Sequence, residues 1–265
     1  MTKVNFRKMQ YIEYIVKDRV GYITLNRPEK RNALNAEFVN ELKEVINIAE
    51  VDNNVKVIVI KANGKAFCAG ADLEYLQKLQ SYSYEENLYD SKNLMELYKM
   101  IYLSKKVFIS QVEGHAIAGG AGLATVCDFV FSVPEAKYGY TEVAIGFVPA
   151  IVSIFLTRKI GETKSKELLL TSKIISAQEA KDMNIFNFIE SKENIQDAVY
   201  KFAQNLITKT STDSLKITKQ LISKIQGMNI DQAFELTAKT NAKSRETSDC
   251  KKGISAFLSK KEIKW

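Results

Sequence analysis

Histidine, cysteine and proline are scarce in this sequence of 265 residues, and each scarcity excludes a class of protein. The single histidine, His115, excludes a zinc site built from several histidines, and a Ser–His–Asp triad would have to use that one residue. The three scattered cysteines contain no CxxC pair, so we expect neither a disulfide framework nor a metal site. Three prolines and twelve glycines exclude collagen and Pro/Gly-rich disorder.

Long apolar runs are also absent. No stretch approaches the roughly 20 apolar residues of a membrane helix, and the first 20 residues lack the apolar run of a signal peptide. We therefore predict a cytoplasmic protein that does not contact a membrane. The net charge of +7 by itself suits an anionic partner: nucleic acid, an acidic membrane surface or a phosphate-rich small molecule. The lysines are dispersed along the chain, however, and dispersed lysines also occur without such a partner.

Strand and helix patterns alternate along the first 190 residues. The predicted strands cover residues 11–16, 20–25, 55–60, 108–112, 128–133 and 185–189. The first predicted helix begins after the N-cap Asn35. The later predicted helices cover most of 73–103 (with a break near 81–83), 150–160, 164–170 and 177–183. Residues 61–71 are predicted to form a loop. Only helices follow Asn194. This order predicts an α/β core over residues 1–194 and a helical oligomerisation region over 195–265.

Two short segments are candidates for binding an anion through backbone N–H groups. Residues 67–72 (FCAGAD) join a buried strand to a helix, where N–H groups and the helix dipole converge; a tight turn without a ligand is the alternative. Residues 119–122 (GGAG) also precede a helix. They do not complete a dinucleotide fingerprint because Thr125 stands where its third glycine belongs. Two interpretations of residues 119–122 remain: their backbone N–H groups donate to an oxyanion, or their small size allows close packing of the backbone.

Glu142 is the candidate acid/base group. Apolar and aromatic residues surround it in sequence, which favours a raised pKa, although a solvated or paired glutamate is also possible. In strand geometry Tyr138 and Tyr140 would share its side, as pocket donors or as core residues. A catalytic role for His115 is the less favoured alternative to a packed histidine. Cys68 and Cys127 read as small core residues.

In their order, these segments resemble the crotonase (enoyl-CoA hydratase/isomerase) superfamily, and a methylglutaconyl-CoA hydratase-like member of it. The matching segments are 25–28 with 31–34, 65–72 (KAFCAGAD), 114–128 (GHAIAGGAGLATVCD), 136–149 (AKYGYTEVAIGFVP), 174–180 and 253–257. The resemblance implies an α/β, crotonase-like spiral of ββα units with a C-terminal helical region, assembled as a trimer or hexamer. It also implies an acyl-CoA substrate and no cofactor beyond the coenzyme A of that substrate.

The resemblance also implies roles for individual residues. The backbone N–H groups of Ala71 and Gly119 form the oxyanion hole that holds the thioester oxygen, and Glu142 is catalytic. The nucleotide part of coenzyme A lies near Lys30, Asn32, Ala33, Ala69, Gly70, Asp72 and Leu73. Phe257 and Lys260 add contacts from a neighbouring subunit.

The sequence departs from the family pattern at Gly122, where family hydratases carry the first of two glutamates. Two carboxylates orient and activate water, whereas one is sufficient to move a proton between carbons. Hydration is the leading prediction, and isomerisation by the single Glu142 is the alternative. Val107 and residues 150–153 (AIVS) replace a family proline and a glycine-rich stretch, and we expect their bulk to narrow the acyl pocket.

Two further alternatives belong to other classes of protein. One relative in the family binds AU-rich RNA through a lysine-bearing helix, but the matching helix here holds only Lys43 among four glutamates. Lys216, Lys219 and Lys224 lack the interleaved aromatic residues of single-strand readers, so nucleic acid is not the expected partner. A non-catalytic CoA-binding homologue is favoured by the missing glutamate and opposed by Glu142 and the two glycine-rich turns.

Overall fold

The computed structural model describes residues 9–265, and its strands and helices alternate until the C-terminal third. The strands are β1 (Ile12–Lys17), β2 (Val20–Leu25), β3 (Val57–Ala62), β4 (Ala66–Cys68), β5 (Val107–Val112), β6 (His115–Ile117), β7 (Phe129–Ser132), β8 (Lys137–Gly139), β9 (Ile174–Ser176) and β10 (Phe188–Ile189). The helices are α1 (Ala36–Val51), α2 (Leu73–Leu79), α3 (Tyr84–Leu103), α4 (Gly119–Val126), α5 (Ala150–Thr171), α6 (Ala177–Asp182), α7 (Ile195–Lys209), α8 (Thr212–Ile225), α9 (Ile230–Ser244) and α10 (Ser248–Leu258).

A six-stranded sheet in the order β1-β2-β3-β5-β7-β10 forms the centre of the molecule. β1 and β2 are antiparallel, and the remaining neighbours are parallel. Asp18 and Arg19 join the first two strands, and both residues have a left-handed conformation. The residues Val57–Ile60 of β3 are all buried, as expected of a strand with helices on both faces.

A second sheet has four short strands in the order β4-β6-β8-β9 and carries the turns of interest. The prediction of a continuous loop over residues 61–71 is wrong, because β3 extends to Ala62 and β4 lies within the predicted loop. β6 was not predicted either. A three-residue strand shows too little alternation to be recognised. The predicted strand 185–189 pairs only at Phe188–Ile189, because the two residues that precede Asn187 are buried outside the sheet.

The longer helices follow the sequence pattern. Asn35 caps α1 as predicted, by accepting a hydrogen bond from the backbone N–H of Phe38, and the apolar face of this helix is buried. Ser83 and Glu86 form a capping box that starts α3 after the predicted break. Gly161 has φ +79 and interrupts α5, which divides it into the two predicted helices. Among the described residues, no helix is both long and apolar enough to cross a membrane.

The C-terminal helices differ in how they pack. α7 buries Ile195, Val199, Ala203 and Ile207, and its Phe202 ring lies against aromatic rings of β7 and β10. α7 therefore packs as part of the core, beyond the boundary predicted at residue 194. None of the residues of α8, α9 and α10 is fully buried. These three helices are the part of the 195–265 region that stays a predicted oligomerisation surface.

Candidate active site

The first turn at the site connects β4 to α2 and presents one backbone N–H group. Gly70 has φ +90, which a glycine adopts without strain, and it turns the chain beside Leu34. Leu34 donates to the Gly70 carbonyl at 2.7 Å and accepts from the Asp72 N–H at 2.9 Å. The N–H of Ala71 lies between these two bonds and has no acceptor among residues 9–265. It is a free donor where the sequence predicted one.

A buried ion pair fixes this turn. A guanidinium nitrogen of Arg27 lies 2.7 Å from an Asp72 carboxylate oxygen, and the other oxygen caps α2 by accepting from Glu74 and Tyr75. Burial alone would raise the pKa of Asp72. The backbone N–H groups of α2 and the charge of Arg27 outweigh burial, so that the pKa is lowered and the carboxylate stays ionised. Asp72 therefore positions the neighbouring Ala71 rather than facing a ligand.

Asn32 has a related structural role. Its side chain is fully buried; Oδ1 accepts from the Arg27 N–H at 2.8 Å, and Nδ2 donates to the carbonyls of Asn63 and Ala66, both at 2.9 Å. All its hydrogen-bonding groups are thus engaged within the protein. The Asn32 side chain therefore holds the 28–34 segment against β4, and the proximity of Asn32 to coenzyme A stays a prediction.

The other predicted CoA-binding residues lie around the same turn. Ala69 donates its N–H to the Arg31 carbonyl at 3.1 Å, and Ala33 is buried. Lys30 and Leu73 are exposed, and the Leu73 side chain is 82% exposed at the start of α2. Lys30 pairs with Glu74 at 2.6 Å, and this hydrogen bond raises the pKa of the lysine. A cation and an apolar side chain therefore stand at the rim of the turn.

The second turn places Gly119 at the start of α4. Because it is the first residue of the helix, its N–H has no intrahelical acceptor, and none is found elsewhere in the described chain. The preceding Ala118 has φ +50 and ψ −122, a strained conformation for an alanine, and its N–H donates to Gly139 at 2.8 Å. The turn is thereby joined to β8, the strand that leads to Glu142.

The two turns are in contact. A Cβ atom on Gly70 would lie 3.7 Å from the Gly119 nitrogen, and one on Gly120 would lie 2.1 Å from the Cys68 carbonyl oxygen. No side chain fits at Gly120, so α4 packs directly on the backbone of β4. This close approach brings the free N–H groups of Ala71 and Gly119 to one place.

Glu142 opens a short 3₁₀ turn (Glu142–Ile145) after β8. Its Oε2 atom is buried and has no hydrogen-bond partner among residues 9–265. Burial raises the pKa of this carboxyl group, against hydrogen bonds from the N–H groups of Glu142 itself and Thr141. Its charge also contributes, after burial, to the raised pKa of three tyrosines: Tyr98, Tyr138 and Tyr140. A carboxyl group with one buried oxygen that lacks a partner is typical of a functional group.

Tyr138 and Tyr140 are core residues rather than pocket donors. Both are fully buried, and their hydroxyl groups bond to each other at 2.7 Å. Each also bonds to the hydroxyl of Thr125, in the case of Tyr140 at 2.9 Å. The prediction that Glu142 shares their strand face is wrong, because β8 ends at Gly139 and a 3₁₀ turn follows.

The position of the missing family glutamate is filled by other residues. A Cβ atom on Gly122 would lie 2.3 Å from a methyl carbon of Val152 and 3.2 Å from the Tyr98 hydroxyl oxygen. Val152 belongs to the 150–153 segment in which added bulk was predicted. Val107 instead lines a separate cavity of about 380 Å³ between α3, α5 and α8, whose lining includes none of Ala71, Gly119 and Glu142. The predicted narrowing by Val107 is therefore not supported.

The remaining candidates are engaged elsewhere. The exposed His115 accepts a hydrogen bond from the Lys137 N–H at 3.1 Å and lies at the start of β6, not beside Glu142. Lys43 pairs with Glu96, and Lys219 binds Asp128 at 2.7 Å, so neither is a free cation for nucleic acid. Within residues 9–265 no group of three or more His, Cys, Asp or Glu side chains is arranged to hold a metal ion.

Sequence reasoning missed Tyr98. Its hydroxyl donates to the Gly119 carbonyl at 2.7 Å, and its side chain is fully buried. On the sequence it reads as one apolar position of α3, and no local motif marks it. Its role depends on the way in which α3 lies across α4, which only the tertiary structure gives.

Comparison with known proteins shows the family of this chain. A sequence model described as enoyl-CoA hydratase/isomerase matches residues 16–265. The chain belongs to the enoyl-CoA hydratase/isomerase family. It is 40% identical over 247 residues to a Thermus thermophilus protein whose name assigns it to the enoyl-CoA hydratases, with 93% of this chain and 97% of that protein covered. It is 29% identical to a crotonyl-CoA hydratase of Syntrophomonas wolfei, over 93% of this chain and 94% of the relative.

Solved structures agree with the predicted fold. The crystal structure of an enoyl-CoA hydratase from Shewanella pealeana superposes with a TM-score of 0.92 at 27% sequence identity, covering 97% of each chain. The crotonase-like α/β fold predicted from the sequence is therefore confirmed. The family comparisons do not address the methylglutaconyl-CoA hydratase-like subtype.

Proposed function

We propose that this family member is an enoyl-CoA hydratase/isomerase-type enzyme that acts on an acyl-CoA thioester through an enolate. The observation that carries the proposal is the proximity of two turns with free N–H groups, on Ala71 and Gly119, of which the second is joined to the strand that leads to Glu142, whose buried Oε2 atom has no partner among residues 9–265. Preorganised N–H donors stabilise the negative charge that develops on a thioester oxygen. They cannot move a proton, and Glu142 supplies that function.

Each group has one role in the proposed reaction. The thioester oxygen accepts hydrogen bonds from Ala71 and Gly119, and the start of α4 adds a positive field. In hydration, the hydroxyl of a water molecule bonds to the β carbon and a proton bonds to the α carbon, with Glu142 as the acid/base group. In isomerisation, Glu142 removes a proton from the α carbon, the double bond shifts, and a proton returns at the γ carbon.

The polyanionic coenzyme A part of the substrate fits the rim of the first turn. Lys30, which lies at the exposed surface and would exchange Glu74 for a phosphate group, and the exposed Leu73 stand there beside backbone groups of residues 69–72. We propose that no cofactor is needed beyond this part of the substrate, and that the enzyme works in the cytoplasm as a homotrimer or hexamer. Within this proposal, a methylglutaconyl-CoA hydratase-like specificity stays a prediction.

Isomerisation is a second candidate because of one observation. The space for a second carboxylate at position 122 is occupied by Val152 and Tyr98, which leaves Glu142 as the one acid placed by the motif. A non-catalytic CoA-binding role is less favoured, because a scaffold has no need of a buried carboxyl whose Oε2 lacks a partner. An RNA-binding role is disfavoured by the pairing of Lys43 and Lys219 within the protein.

A panel of enoyl-CoA thioesters tests the proposal. Short, branched (including methylglutaconyl) and aromatic acyl chains would be supplied, with loss of the conjugated enoyl thioester absorbance reporting hydration and its gain from β,γ-unsaturated substrates reporting isomerisation. We expect turnover of at least one class, with Glu142→Gln as the matched control that still binds acyl-CoA in calorimetry. Failure to bind or turn over any acyl-CoA would contradict the proposed function.

A further inference from the structure

Tyr98 and Val152 both lie beside Gly122, and we name these two side chains the Tyr98–Val152 wall. Both side chains are buried, at 0% and 4% exposure. The Tyr98 hydroxyl is held by its hydrogen bond to the Gly119 carbonyl, and its ring packs edge-on to Phe155 with centroids 6.1 Å apart. The wall is therefore anchored at both ends, in α4 and in α5.

The wall cannot yield easily to a larger side chain at position 122. The distance of 2.3 Å from an added Cβ to the Val152 methyl carbon is far below van der Waals contact. Valine is branched at Cβ and has little rotamer freedom in a helix, so α5 itself would have to move. α4 cannot retreat in the opposite direction, because Gly120 already packs on the Cys68 carbonyl.

We propose that the Tyr98–Val152 wall occupies the place of a second carboxylate and sets the type of reaction. This inference rests on the proposed function and specifies how its single acid/base group is used. With no carboxylate at position 122 to bind and activate water, proton relocation by Glu142 is favoured over addition of water across the double bond. Val152 and Tyr98 act through the space that they fill, so they are specificity-determining and positioning residues rather than catalytic ones.

The test is to install the carboxylate with and without the wall. The variants are Gly122→Glu, Gly122→Glu with Val152→Ala, and the isosteric control Gly122→Gln with Val152→Ala. The readout is the ratio of hydration rate on an α,β-enoyl-CoA to isomerisation rate on the β,γ-enoyl-CoA of the same chain. A positioned general base typically contributes about 10²–10⁴-fold, and we expect a gain of about tenfold or more in this ratio for the Glu/Ala double variant.

The control variants separate chemistry from space. We expect no comparable gain for Gly122→Glu alone, whose side chain meets the wall, or for the Gln/Ala control, which has the same shape but no base. An unchanged ratio in the Glu/Ala variant, or an equal gain in the Glu/Ala and Gln/Ala variants, would overturn the inference.

Two further measurements keep the inference falsifiable. Should the double variants fail to fold, Val152→Ala alone removes part of the wall without adding a base, and the ratio should stay near the wild-type value; a rise of about tenfold or more would show that space rather than the carboxylate sets the ratio and would overturn the inference. Exchange of the substrate's α proton in deuterated water by the wild-type enzyme tests the proposed function separately from the role of the wall. If the wild type exchanges the α proton but the hydration-to-isomerisation ratio of the Glu/Ala variant is unchanged, only the proposed role of the wall is refuted. If the wild type exchanges the α proton of no acyl-CoA, the proposed function and the role of the wall are both refuted.

Discussion

At the scale of single residues, the site combines two backbone donors with one carboxyl group held in an unfavourable environment. Glu142 was predicted from the sequence because apolar and aromatic residues surround it, and its burial and raised pKa agree with that reasoning. The two glycine-rich turns were candidates for anion binding on the sequence alone, and the resemblance to the crotonase superfamily implied Ala71 and Gly119 as the donors within them. Tyr98 was not predicted, since its importance comes from a contact between helices distant in sequence.

The raised pKa of Glu142 predicts a specific pH dependence. Because the folded-state pKa lies above 4.5, the folded protein binds more protons than the unfolded chain just above that pH, and this residue destabilises the fold as the pH rises. Glu142→Gln removes that cost. We expect the variant to have a higher melting temperature than the wild type at pH 7, with the difference disappearing below the unfolded-state pKa.

The same shift is expected in the kinetics. If Glu142 acts as a base, the acidic limb of the kcat/KM profile should have an apparent pKa above 4.5. Melting curves that show no pH-dependent difference between the two proteins, together with an acidic limb at the ordinary glutamate value, would contradict the assigned environment of this carboxyl group.

At the scale of elements, the loop before α1 and the turn before α2 form one unit. Arg27 and Asp72 pair across it, Asn32 ties it to β4, and Leu34 bonds directly to both sides of Ala71. The sequence predicted the long elements well, because α1 and the central strands have clear periodicity. It did not predict β4 or β6, whose three residues are placed by neighbouring strands rather than by their own pattern.

Asn32→Ala tests this unit. The change leaves the Arg27 N–H and the buried Ala66 carbonyl, together with the less buried Asn63 carbonyl, without the partners they have now, and leaving a buried group unsatisfied costs about 1–3 kcal/mol. We expect a loss of unfolding free energy of about that size in denaturant titrations. The exposed Asn54→Ala is the control and should change stability by less than about 0.5 kcal/mol. Equal stability of the two variants would show that Asn32 does not tie the loop to β4.

At the scale of the whole molecule, α8, α9 and α10 carry apolar side chains that the rest of the described chain does not bury. Ile222, Ile230, Phe234, Phe257 and Leu258 are each more than half exposed. Large exposed apolar patches on soluble proteins mark interaction surfaces. The fold could be predicted because strand and helix patterns alternate along the first 190 residues. The association of copies could not be predicted in the same way, because no local sequence pattern says which exposed surfaces of two copies meet.

The predicted assembly is testable by light scattering. We expect a trimer or hexamer at micromolar concentration, because an apolar surface of this kind is stabilised when a second copy covers it. Phe234→Glu with Ile230→Glu should shift the distribution towards smaller species, and the exposed, polar Lys239→Glu, which lies on the same helix, is the control. A monomeric wild-type protein would contradict the prediction.

The central claim is that Glu142 transfers the α proton of an acyl-CoA thioester while Ala71 and Gly119 hold the oxygen of the resulting enolate. One exchange measurement tests this claim most directly. The rate at which a saturated acyl-CoA exchanges its α proton with deuterated water would be followed by NMR for the wild type and for Glu142→Gln. Glutamine keeps the size of the side chain and removes the base, so we predict a loss of about 10²–10⁴-fold in exchange rate with acyl-CoA affinity retained. Exchange by the variant at a rate near that of the wild type would contradict the account.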